Sequence, residues 1–182
     1  MDALVLVNTH LPQAPLKPLE QILSRARVAD GVVVFATAPA HQPAYEAPDE
    51  DAEAVDSAGA NAPGGAAAAA ARKAAEWAGK PAPVQPTADD LVLASEVPDV
   101  FDGVEDLATG LQAMNIDRVV IGGVDQSRAV EHTVMAALVL GFEATVLADA
   151  LVGADGADVQ WLETAAGAGA RIADSADTWL RM

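Results

Sequence analysis

The stretch Val119–Ala150, VVIGGVDQSRAVEHTVMAALVLGFEATVLADA, most constrains what this chain can fold into. An apolar, β-branched run (Val119–Ile121) reads as a buried strand, and Gly122-Gly123 reads as a turn. A helical pattern follows from about Ser127 to Leu140, with Ser127 placed to cap its start and Gly141 to stop it. A second apolar run, Ala144–Leu147, then reads as another strand. Two strands joined through a helix of this length lie parallel, because a crossover carries the chain back to the same sheet edge.

The same alternation runs along most of the chain. Leu4–Val7, Val32–Phe35, Leu91–Leu93 and Ala170–Ile172 are further strand candidates, which makes six. Helices are expected at Leu16–Ala29 (Leu19, Ile22, Leu23 and Ala26 on one face), at Val104–Met114 (Val104, Leu107, Ala108 and Leu111), near Asp158–Ala166 and at Ser175–Leu180. Apolar strands alternating with amphipathic helices specify an α/β fold: three layers, doubly wound, with a six-stranded, mostly parallel sheet. The three tryptophans, Trp77, Trp161 and Trp179, fall on expected helices and read as core or interface residues. At 182 residues the simplest organisation is one domain over 1–182. Residues 43–86 differ in composition. Glu46–Asp56 is acidic and lacks a core-facing pattern, and Ala66–Ala78 is an alanine-rich helix candidate ended by Gly79 and Pro81. This segment reads as a solvated loop and surface helix, or as a lid or subunit contact.

Charge and cysteine usage exclude whole classes of function. With 27 acidic against 10 basic side chains the formal net charge is -17, so a phosphate backbone is repelled and nucleic acid is not an expected partner. The absence of cysteine removes disulfides, thiolate metal sites and thiol catalysis. Glu143 and Asp149 interrupt the richest apolar stretch, so no membrane span is expected. The short apolar run Ala3–Val7 does not make a signal sequence. A cytoplasmic protein is the expectation.

Four pieces, in order, resemble the isochorismatase-like hydrolase family, which includes isochorismatases, nicotinamidases and N-carbamoyl amidohydrolases. Ala3-Leu4-Val5-Leu6-Val7-Asn8 is similar to the family's A-L-L-V-I-D-x-Q opening. Ser24-Arg25-Ala26-Arg27 followed by Val32–Thr37 is similar to its helix and strand leading into T-x-D-x-H. Asp90–Leu93 through Ile116-Asp117 resembles D-x-V-V-x-K … L-x-x-x-G-I-D. Gly123-Val124-Asp125-Gln126-Ser127-Arg128-Ala129 resembles G-V-x-T-x-x-C. The resemblance implies an isochorismatase-like, Rossmann-like sheet. It also implies a site built from an aspartate base, a charge-stabilising lysine and a cysteine nucleophile. Position by position these fall on Asn8, on Ser95 (Glu96 if the register slips by one) and on Ala129. An amide is no general base at neutral pH, Ser95 carries no positive charge, and a methyl group cannot attack. The isochorismatase route through the aspartate fails on the same Asn8.

Other groups can be weighed as substitutes. His10 lies two residues beyond Asn8, at the strand end where ligands bind in open α/β sheets; it reads as a base or as a partly exposed loop histidine. The resemblance sets His41 on the histidine of the nicotinamidase metal pair, but the paired aspartate position is Pro39, so no metal and no cofactor are expected. His132 reads as a helix-surface or subunit-contact residue. Ser127 does not sit in a nucleophile elbow, since the flanking glycine spacing is wrong. The amides of Gln126–Ala129 can attract an anion, strengthened by Arg128 and weakened by Asp125. The expected pocket is thus bordered by Asn8, His10, Thr37, His41, Ser95, Glu96, Asp125, Gln126, Ser127, Arg128 and Ala129.

Three readings follow from the sequence. The leading one is a non-catalytic family member that binds a small molecule or anion or serves a protein partner. The alternative is a divergent hydrolase in which His10, Glu96 or Ser127 supplies the missing chemistry. The third is a structural subunit, paired with an active homologue, whose site is vestigial. A homo-oligomer is expected.

Overall fold

A computed structural model of the chain describes residues 1–39, 77–81, 84–153 and 159–178. The elements are β1 (Asp2–Val7), α1 (Leu16–Val28), β2 (Val32–Thr37), β3 (Leu91–Ala94), α2 (Val100–Gly103), α3 (Leu107–Ala113), β4 (Arg118–Asp125), α4 (Ala129–Val139), β5 (Glu143–Gly153), α5 (Leu162–Gly167) and β6 (Arg171–Ala173). The six strands lie in the order β3-β2-β1-β4-β5-β6. Every neighbouring pair is parallel, where the sequence suggested only mostly parallel. The chain winds outward in both directions from the central β1–β4 pair, so the crevice at their C-terminal ends is the topological switch point.

Alternation along the strands builds two cores. Val5, Val7, Val34, Val119, Ile121 and Val146 face α2, α3, α4 and α5, meeting Phe101, Leu111, Val130 and Val134. Leu4, Leu6, Val33, Phe35 and Val120 face the other way, against Leu19, Ile22, Leu23 and Ala26 of α1 and against Trp77. All four expected inward residues of α1 are buried. Trp77 is core, as expected; Trp161 is half-buried and Trp179 lies outside the described residues. Beneath the sheet, at the N-terminal strand ends, Arg118 forms a buried ion pair with Asp2. No helix among the described residues is long and apolar enough to cross a membrane.

Four expectations need correction. Gly122 and Gly123 do not form a turn; β4 runs through them to Asp125. Gly123 has φ +135°, and a Cβ there would run into the Val7 carbonyl of the adjacent strand. A Cβ on Gly122 would approach the Ala150 carbonyl to 3.0 Å. These glycines serve close backbone approach within a sheet. They coincide with an irregularity in which Ile121 pairs with Val146 but Gly123 pairs with Leu151, so β5 advances five residues while β4 advances two. Second, the helix expected at Val104–Met114 begins only at Leu107, and a short helix that the sequence did not suggest, α2, precedes it. Asp99 caps a short α2 by accepting from the Phe101 amide (2.9 Å), and a left-handed Asp106 (φ +61°) precedes α3. Leu107 and Leu111 are buried as expected.

Third, the expected Ser175–Leu180 helix is a turn over its described part, 175–178. The Asp149 carboxylate accepts from both the amide (2.7 Å) and the hydroxyl (2.6 Å) of Ser175 and holds the chain there. Fourth, the helix near Asp158–Ala166 begins later, at Leu162. Of the alanine-rich helix expected at Ala66–Ala78, residues 66–76 lie outside the described residues, and Trp77 to Lys80 form a turn.

Candidate functional site

At the end of β1 the chain turns sharply. Asn8 extends the ladder by one bond, donating from its amide to Ala36 O (2.8 Å), and its carbonyl accepts from Leu11 N (3.0 Å). Its φ is +54°, a left-handed conformation that asparagine tolerates better than most residues. The side chain is fully buried, and its Oδ1 accepts from the Ala38 amide at 2.8 Å. That bond fixes the amide orientation, because a backbone N–H needs an oxygen opposite it. The other end of the amide is therefore the Nδ2 donor, which is buried and has no partner among the described residues.

His10 is half-buried, with its ring edge-on to Trp77 at 5.5 Å. The Trp77 indole donates to Thr9 Oγ1 (3.4 Å), and Lys80 Nζ donates to Leu11 O (2.6 Å). Burial, and then the nearby Lys80 ammonium, lower the His10 pKa below its ordinary value of 6.5. The imidazole is thus neutral at pH 7, and its buried Nδ1 has no partner among the described residues. Lys80 was only one of three lysines in the sequence. Its place beside His10 is visible in the fold alone, since 69 residues separate it from Leu11.

Thr37 closes β2, with its hydroxyl 3.4 Å from Leu93 O and its carbonyl accepting from Ser95 N (2.8 Å). The Ser95 hydroxyl is wrapped into its own turn. It donates to the Val97 and Asp99 carbonyls and accepts from the Val97 amide. A Cβ on Gly103 would run into that hydroxyl, so the following helix also holds it in place. Glu96 points to solvent. Burial raises the pKa of Asp99, opposed by its hydrogen bonds from the Phe101 and Asp102 amides.

Asp125, at the end of β4, replaces Ser127 as the cap of α4. Its Oδ1 accepts from Val130 N (2.9 Å) and Glu131 N (3.3 Å), and its Oδ2 accepts from Trp161 Nε1 (2.6 Å). An ionised carboxylate accepts several donors and bonds them more strongly than a hydroxyl, which is why it takes the position. Ser127 (φ +53°) and Arg128 (φ +60°) are both left-handed, so the serine makes no capping bond and the α-helix starts at Ala129. The Ala129 amide bonds to Gln126 O. The carboxylate of Asp125 thus takes the amides of Val130 and Glu131, one to two residues beyond the amides of Gln126–Ala129 that the sequence offered to an anion. Arg128 is exposed and pairs with Glu131 through two bonds of 2.7 and 2.5 Å. Gln126 and Ser127 are half-buried. Ala129 is fully buried, and its carbonyl accepts from the Thr133 hydroxyl (2.7 Å).

The fold brings Asn8, His10, Thr37, Ser95 and Asp125–Ala129 to the C-terminal edge of the sheet, as the sequence suggested; His41 lies outside the described residues. Among the described residues no three His, Asp or Glu side chains cluster closely enough to hold a metal ion. The family model for the isochorismatase domain matches residues 5–177, from the middle of β1 to the turn after β6. The chain belongs to the isochorismatase family. Its structure is similar to N-carbamoylsarcosine amidase from Thermoplasma acidophilum (21% identity, TM-score 0.67, covering 97% of this chain and 98% of that one). It is also similar to pyrazinamidase of Pyrococcus horikoshii in complex with zinc (17%, TM-score 0.60, 95% and 98%) and to pyrazinamidase/nicotinamidase from Streptococcus mutans (20%, TM-score 0.58, 95% and 100%). At these identities the likeness is one of fold. A comparison with curated protein sequences finds no match.

Proposed function

We propose that this isochorismatase-family chain is non-catalytic and keeps the strand-end crevice as a binding site for a small molecule. The observation that carries the reading is the state of the three positions together. Asn8 has its only acceptor engaged with Ala38, the Ser95 hydroxyl is closed into its own turn, and Ala129 is a buried methyl. No proton acceptor, cation or nucleophile remains at those places, and groups that act as a catalytic unit fail together. The Asp125 carboxylate, bound to the Val130 and Glu131 amides at the start of α4, also sets a negative group beside the place where an oxyanion would develop. The hydrolase names of its structural neighbours therefore do not transfer to this chain. The test is turnover of nicotinamide, N-carbamoyl amino acids and isochorismate by the purified protein, with none expected. The Ala129→Cys variant alone should also stay inactive, since a thiol there meets no base on Asn8.

A second reading, a divergent hydrolase, has one observation in its favour: His10 is neutral and its Nδ1 is unpartnered. Turnover of any of these substrates that is lost in His10→Gln would establish it and end the first reading.

A further inference from the structure

We propose that the groove between β3 and α3 docks a segment of another protein in which one large apolar side chain is flanked by lysines or arginines. The groove lies at the edge of the sheet, since β3 is the outermost strand, and it is separate from the crevice between β1 and β4. Its floor is apolar. Leu91 and Leu93 of β3, with Val104, Leu107, Leu111 and Met114, line an open cavity of about 180 Å³. Leu107 and Leu111 are buried, but Leu91 and Met114 are 40% and 41% exposed. Both also line a second cavity, of about 440 Å³, at the starts of β2 and β3, so the two cavities adjoin. Single apolar side chains on a surface need no explanation, but two that join adjacent cavities mark an interaction surface.

Charge selects the partner. Asp30 and Asp89 line the larger cavity, and Glu105 and Asp106 line the smaller one. All four are exposed, and none forms an ion pair among the described residues. Arg27, which lines the larger cavity, is already held by Asp90 and by the Gln85 carbonyl. An apolar floor rimmed by carboxylates complements an apolar anchor with cationic neighbours. A second copy of this chain is disfavoured, because at a net charge of -17 it brings more carboxylates than cations to the rim. Gly110 is an independent observation. It sits inside α3, where glycine is a poor helix former, and its φ is not left-handed. A Cβ there would meet no atom of the described residues within 4 Å, so no neighbour requires the position to be bare. Gly110 lines the smaller cavity, and its missing side chain leaves that cavity open to an anchor.

The test is a titration of the full chain with the fluorescein-labelled peptide Lys-Arg-Lys-Leu-Lys-Arg-Lys, read by fluorescence anisotropy at physiological salt. A second peptide, with glycine in place of the leucine, measures attraction by charge alone. The leucine peptide should bind saturably, and at least about tenfold more tightly than the glycine peptide, since burying one leucine side chain contributes that much. Gly110→Leu fills the cavity from a position with free space beside it. It should keep the fold, checked by circular dichroism, and weaken the leucine peptide at least about tenfold. Glu105→Gln combined with Asp106→Gln leaves the cavity open and should weaken both peptides. Equal binding of the two peptides, no saturable binding, or a folded Gly110→Leu chain that binds the leucine peptide normally would overturn the proposal.

Discussion

The ends of β1 and β4 lie side by side at the switch point, yet the chain finishes them in opposite ways. At the end of β4 every strong group is answered from within: Asp125 takes two helix amides and the Trp161 indole, and Arg128 takes Glu131. At the end of β1 two buried polar atoms, Asn8 Nδ2 and His10 Nδ1, have no partner among the described residues. The contrast teaches that a helix N-terminus in a hydrolase fold is not by itself an anion site. What matters is whether the chain supplies its own anion first. In this family member the β4 end is tied together by its own side chains, and the β1 end is not.

Substitutions can break or sharpen that contrast. The largest effect is expected where the two strand ends touch. Gly123→Ala puts a Cβ against the Val7 carbonyl at a φ of +135°, and should cost at least about 3 kcal/mol of stability, read by urea denaturation. A loss below about 1 kcal/mol would mean that the strands separate easily and that the two ends are not rigidly coupled. Asp125→Ala comes next. It strips the cap from α4 and leaves the half-buried Trp161 indole and the buried Val130 amide without an acceptor, for a loss of about 2–3 kcal/mol. An unchanged Tm would show that Asp125 does not hold the β4 end together.

The smallest effect belongs to the β1 end and depends on pH. The His10 pKa is lowered in the folded chain, by burial first and Lys80 second, so the unfolded chain binds this proton more readily. The resulting stability is fully present above about pH 6.5, the ordinary value, and is lost as pH falls from there through the folded pKa. His10→Gln should flatten that part of the stability profile. A profile of the same slope in the variant would assign the acid sensitivity to other groups.

The sequence determined the class of fold through periodicity. Apolar runs of period two and helical stripes at Leu19, Ile22, Leu23 and Ala26 can be buried only in a layered α/β arrangement. It also marked the strand ends after which Asn8 and Ser95 stand, and the structure places both at the C-terminal edge of the sheet. Ser127 was misjudged because local propensity favours serine at a cap, while the left-handed Ser127–Arg128 pair lets the carboxylate two residues earlier reach the helix first. Gly122-Gly123 was misjudged because a local rule sees a turn, whereas the need for glycine comes from the neighbouring strand. Trp161 on Asp125, Ser175 on Asp149 and Lys80 on Leu11 were decided by the tertiary structure alone. Each joins residues 26 or more apart in the chain, and such pairs form only when packing brings distant segments together, which no spacing in the sequence encodes.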